Sequence, residues 1–150
     1  MKISTKGRYA LRMLFDIACH SGEGVVSLTD VSERQMISKK YLEQIVPMLT
    51  RAGILRAMRG NRGGYSLVMK ADELTVGDVL RATEGSFAPV SCLEVEPVDC
   101  PHAEACSTLF VWQGLYEVEK KYLDSITLQD IVDHSTTDHF DSEFGNDYCI

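Results

Sequence analysis

Three cysteines, Cys92, Cys100 and Cys106, stand within fifteen positions in the stretch SCLEVEPVDCPHAEACS. In a reduced compartment, thiols at that density hold a metal, take part in redox exchange or sit inert. A zinc site would recruit His102 to complete a Cys₃His set. Structural zinc sites usually begin with a short C-x₂₋₄-C hook, however, and seven residues separate Cys92 from Cys100. A thiol switch needs a cysteine of depressed pKa. Glu94, Glu96, Asp99 and Glu104 crowd the segment with negative charge, which predicts thiols that ionise less readily than usual. His102 and Glu104 are the further donors inside the segment.

No other constellation carries chemistry of its own. The four histidines fall in no catalytic motif, and no Ser/His/Asp order or paired carboxylate stands out. The Gly-rich run at residues 59–64 lacks the Lys-Ser/Thr of a phosphate-cradling loop, and no helix pattern follows it. The expectation is a protein that is not an enzyme.

The totals fit one domain. A chain of 150 residues buries roughly 68–70% of its unfolded surface, so its core needs no disulfides. The apolar run at residues 10–19 is broken by Arg12 and Asp16, and no stretch approaches the ~20 apolar residues of a membrane helix. A cytoplasmic protein with no membrane partner is expected. The net charge of −7 hides a division: residues 1–70 hold twelve Lys/Arg against five Asp/Glu, and residues 71–150 hold three against seventeen. That asymmetry suggests a basic end that binds nucleic acid joined to an acidic end with another task.

The elements that must position these residues follow from periodicity. Ala10, Met13, Leu14, Ile17 and Ala18 mark one buried helix face, with Ser4 as N-cap. Ser27 opens a short helix near Leu28, and Ser38 caps a third, KKYLEQIVPMLTRAG, ended by Gly53. Pro47 is predicted to remove one backbone bond and bend that helix. Two short helices in this order, the second offering Lys39, Lys40, Tyr41, Glu43 and Gln44 outward, describe a helix-turn-helix. ILRAMRGNRGGYSLV then reads as strand, turn, strand, a wing with Arg59 and Arg62 at its tip.

In the acidic half, Thr75 and Asp78 open a helix ended by Gly85. A long helix beginning near Thr108 carries an apolar seam of Val111, Leu115, Val118 and Tyr122, widened by Trp112, Tyr116 and Leu123. So much apolar surface on one helix wants a partner, in its own domain or in a second chain, and the expected winged-helix DNA reader favours a dimerisation helix. A last short helix is capped by Thr127 and Asp130, and an acidic tail from about Asp133, holding an incidental Cys149, is expected to be mobile. The fold class is therefore mainly α with a small β-hairpin wing. The organisation is a winged helix-turn-helix at 1–85, a cysteine-bearing loop at 86–107, dimerisation and terminal helices at 108–132, and a tail at 133–150.

MKISTKGRYALRML, SKKYLEQIVPML, RGNRGGYSL, the three-cysteine insertion and DSITLQDIV occur in the order found in the IscR/NsrR/CymR family of bacterial transcription regulators. The chain resembles that family from residue 1 to about 132. The resemblance implies a cytoplasmic homodimer on a palindromic double-stranded operator. It places Ser38 to Gln44 in the major groove, with Glu43 and Gln44 at base edges, and Arg59 and Gly60 on the wing at the minor groove. It also implies that Cys92, Cys100 and Cys106 ligate an iron–sulfur cluster, of the two-iron or four-iron form. The first inter-cysteine gap is longer than the family's, while the second matches it. The two places where family members draw a fourth ligand are Leu109 and Arg8 here; His102 or Glu104, inside the segment, could serve instead, and the fourth position stays open. Cluster-free family members imply a second reading, a regulator of cysteine or sulfur metabolism controlled by a protein partner.

Overall fold

The computed structural model describes residues 2–137 as six α-helices and one β-hairpin. The first helix, α1 (Thr5–Cys19), starts where Ser4 Oγ accepts the Lys6 and Gly7 backbone N–H groups. Its Met13, Leu14 and Ile17 are fully buried, each contributing about 1.5–3 kcal/mol by leaving water. Helix α2 (Leu28–Gln35) is capped by Ser27, whose Oγ accepts the Asp30 N–H. It ends on Met36 in the left-handed region, φ +54°, and the Ile37 N–H closes back onto the Ser32 carbonyl. Helix α3 (Lys39–Arg51) is capped by Ser38 and ends in a Schellman motif. There Gly53, at φ +73°, donates to the Thr50 carbonyl while Ile54 donates to Leu49.

Strands β1 (Leu55–Met58) and β2 (Gly64–Leu67) pair antiparallel, with Leu55 opposite Leu67 and Met58 opposite Gly64. Val26, just before α2, bridges Tyr65 through bonds of 2.9 and 2.8 Å in both directions. The hairpin is thus stitched to the base of the helix-turn-helix. Gly64 permits that approach, because a Cβ there would lie 2.5 Å from the Val26 carbonyl oxygen.

Helix α4 (Val76–Glu84) has a reciprocal capping box between Thr75 and Asp78, and α5 (Leu109–Ser125) is the long helix. Helix α6 (Leu128–Thr137) opens on a second such box, Thr127 with Asp130. The chain pairs with itself before α6: Val76 donates to Ile126, and Leu128 donates to Leu74. Leu128 is buried in the main core with Ala10, Met13 and Leu14, so the last helix completes the core of the amino-terminal half. A smaller core of Val76, Leu80, Phe87 and Leu123 joins α4, α5 and the root of the cysteine loop.

Helix α3 runs as one helix across Pro47, which is exposed and, having no N–H, leaves one backbone bond of the helix unmade. One expectation changes. Helix α6 extends past Asp133 to Thr137, where a tail was expected to begin. Gln129 donates to Asp133 at 2.7 Å one turn on, and that side-chain bond holds the helix through its polar end. The rest of the expected tail, with Cys149, lies outside the described residues.

Candidate nucleic-acid interface and cysteine loop

The turn between α2 and α3 is held from beneath. Asp16 on α1 is buried and accepts from Arg34 Nε and Nη2 at 2.6–3.1 Å and from Gln35 Nε2 at 3.1 Å. Burial pushes this carboxyl up. The Arg34 and Gln35 hydrogen bonds, with the charges of Arg34 and His20, more than offset that and leave it below the usual carboxylate range. Arg12 of α1 adds bonds to the Gln35 side chain and carbonyl. Helix α2 is therefore locked to α1 by charge-assisted bonds, and α3 is aimed from that platform.

Ser38, Lys39, Lys40, Glu43 and Gln44 are exposed along one side of α3, as expected. Tyr41 is not offered outward with them. It is half-buried against the core, its ring meeting Tyr9 edge-on at 5.3 Å. At the wing tip Arg59, Gly60 and Arg62 are all exposed. Gly60 adopts φ +129°, and a Cβ on Gly63 would strike the Met58 carbonyl oxygen at 2.6 Å, so the tip needs both glycines. Lys39 and Glu43 of α3 and Arg59 of the wing line one groove, floored by the start of α2 and by Tyr65. Lys40, Gln44 and Arg62 lie outside that groove. The role of Val26 and Gly64 in fixing wing to helix went unread in the sequence. Its only trace there is the Gly-Gly-Tyr run opening β2.

The cysteine loop hangs from a polar and aromatic root. Phe87 is buried, 5.9 Å from the Tyr116 ring of α5, with the Arg81 guanidinium 5.8 Å from its centroid. Arg81 also bonds Asp78 at 2.8 Å and Asp124 of α5 at 2.7 Å. At the end of α4, Glu84 Oε1 accepts from Ser4 Oγ at 2.6 Å and from the Gly7 N–H at 3.1 Å. Helix α4 thus touches the loop root, α5 and the start of α1 together. None of Arg81, Glu84 and Gly7 was singled out from the sequence, because each acts through partners far along the chain.

Beyond that root the loop has two single 3-10 turns, at Ser91–Leu93 and Ala103–Ala105, and Leu93, the last residue of the first, is buried. All three thiols are free; Cys92 and Cys100 are half-buried and Cys106 is exposed. His102 and Glu104 are exposed. The donor set suits soft iron in kind, three thiols on a weakly structured segment. It is not gathered: among the described residues no three His, Cys, Asp or Glu side chains stand close enough to hold a metal ion. The expected acid-raised thiol is also corrected at Cys106. The Thr108 hydroxyl 3.6 Å from its Sγ, together with nearby backbone N–H groups, holds this thiol below its usual value.

On α5, Val111, Trp112, Leu115, Val118 and Tyr122 are exposed, while Tyr116 and Leu123 turn inward onto the small core. Phe110, at 73% exposure, extends the apolar surface beyond what the seam predicts.

The family model described as "Iron-dependent Transcriptional regulator", Rrf2, matches residues 3–134. The protein rrf2 of Nitratidesulfovibrio vulgaris is 42% identical over 132 residues, covering 88% of this chain and 87% of its own. The HTH-type transcriptional regulator IscR of Erwinia tasmaniensis is 40% identical over 134 residues, covering 89% and 80%. The solved structure of CymR, titled the global cysteine regulator of B. subtilis, superposes with a TM-score of 0.69 at 38% identity, covering 89% of this chain and 98% of that one.

Proposed function

Because the chain belongs to the Rrf2 family of transcriptional regulators, we propose that it is a homodimeric DNA-binding regulator of a palindromic operator. The groove that joins Lys39 and Glu43 of α3 to Arg59 of the wing carries this reading. It brings a recognition helix and a basic wing tip to one side of the half with twelve Lys/Arg against five Asp/Glu. Lys39, Lys40, Arg59 and Arg62 neutralise phosphates, and Glu43 and Gln44 face base edges. The test uses full-length protein with duplex selected from a random pool. Lys39→Ala and Arg59→Ala should each flatten the plot of log affinity against log salt by about 0.9, one phosphate contact apiece. An unchanged slope in both would remove the groove from the interface.

The regulatory half of the proposal rests on the loop. Cys92, Cys100 and Cys106, with His102 or Glu104, would hold an iron–sulfur cluster, and the IscR likeness supports that donor set. When bound, such a group supplies thiolate-ligated iron that is sensitive to oxidant, nitric oxide and iron supply. The protein's own part is mechanical. Drawing the three thiols together reshapes residues 92–106, and the loop root at Phe87 passes the strain to Arg81 and α4. Through Glu84 it then reaches the start of α1. Protein purified without air should contain iron and sulfide and absorb visible light, and Cys100→Ala should lose all three signals.

A second reading, a cluster-free regulator controlled by a protein partner, is favoured by the ungathered thiols and by the likeness to CymR. It expects colourless anaerobic protein whose operator affinity ignores Cys100→Ala.

A further inference from the structure

Behind the wing lies a cleft of about 580 Å³ that the DNA groove does not account for. It opens between the hairpin, the end of α1 and the start of α6, and no residue of α3 lines it. Met58 is the one residue it shares with the groove. The pleat explains the separation. The cross-strand pair Ala57 and Tyr65 lines the groove, and the adjacent pair Arg56 and Ser66 lines the cleft.

The charge of the lining has one sign. Arg56 and Lys70 bring two cations to the cleft, and no Asp or Glu lines it. Among the described residues neither cation forms an ion pair. Glu73 meets Lys70 at its backbone N–H, 3.4 Å away. Arg56 Nε donates to Ser66 Oγ at 3.0 Å, which steadies the guanidinium across the strand pair. Its two terminal nitrogens keep their N–H groups for a ligand. Beside these charges, Val25, Leu67 and Met69 are half-buried and supply an apolar wall. The volume falls in the range of small-ligand sites, roughly 300–1,000 Å³. A duplex held at α3 lies across the other face of the hairpin, so its phosphates do not fill this space.

We infer that the cleft binds a small organic carboxylate. Arg56 and Lys70 take the anionic head, for which a guanidinium fork is matched in shape, and Val25, Leu67 and Met69 pack on the apolar body. The occupant touches both strands of the wing, the turn after α1 and Gln129 of α6. It therefore fastens the wing to the helices, and the consequence for operator affinity rests on the DNA-binding reading above.

Amide chemical shifts of the nitrogen-15-labelled full chain, titrated with 4-phenylbutyrate and separately with the neutral 4-phenylbutyramide, test the site. The acid should bind with a Kd below about 1 mM and move amides at 21–25, 56–58, 66–71 and 129. The neutral amide should bind at least about tenfold more weakly, because it forgoes the charge-assisted bonds. Inorganic phosphate, an anion with no apolar body, should also bind at least about tenfold more weakly than the acid. Arg56→Gln should weaken the acid about tenfold and leave the neutral amide unchanged. Equal affinity for acid and amide, shifts centred on 39–44 instead, or no saturation by about 10 mM would overturn the site. These titrations contain no DNA, so a failed operator reading would leave them standing. With the selected duplex present, saturating acid should change the affinity of the parent at least about threefold and that of Arg56→Gln less. An unchanged parent would remove the link from the cleft to the wing.

Discussion

At the scale of single residues, Asp16 governs how the helix-turn-helix sits. It is buried and holds Arg34 and Gln35 of α2 by four hydrogen bonds. Because its carboxyl lies below the usual carboxylate range when folded, the stabilisation it contributes is complete at pH above that range. It is lost as pH falls through the depressed folded value. Asp16→Asn should therefore lower stability at neutral pH by about 1–3 kcal/mol, with the gap to the parent closing on acidification. Urea unfolding at a series of pH values reads both effects, and a gap that stays constant with pH would refute the carboxylate's role.

At the scale of elements, α3 is the helix with an evident reserve of stability. Pro47 lies in its interior, yet the helix is unbroken. Pro47→Ala restores an N–H that can bond the Glu43 carbonyl, so it should stabilise the protein by about 1–3 kcal/mol, measured as a raised Tm. The elements most legible in the sequence are those set by neighbours a few residues apart. Ser4, Ser27, Ser38 and Thr75 all cap where periodicity and residue type place them. The exposed seam of α5 was readable for the same reason. What escaped depends on distance along the chain: Glu84 meets Ser4 across 80 positions, and Val26 meets Tyr65 across the whole of α2 and α3. Tyr41 shows the limit of periodicity, since its spacing sets it beside the outward residues while Tyr9 captures its ring. Cys106 shows the limit of charge counting, because hydrogen bonds from the Thr108 hydroxyl and nearby backbone N–H groups, and not the carboxylates along the loop, set the direction of its shift.

At the scale of the whole molecule, α4 joins the parts: its Arg81 serves α5 and the loop root, and its Glu84 serves α1. The seating of Leu128 in the main core, and of the chain before it against residues 74–76, has a further consequence. A polypeptide ending at residue 125 should lack a folded DNA reader, seen as lost near-ultraviolet circular dichroism and lost operator binding. Fragments from interrupted synthesis or from nicking near that point would then be silent, unable to compete as half-sized decoys for the promoter.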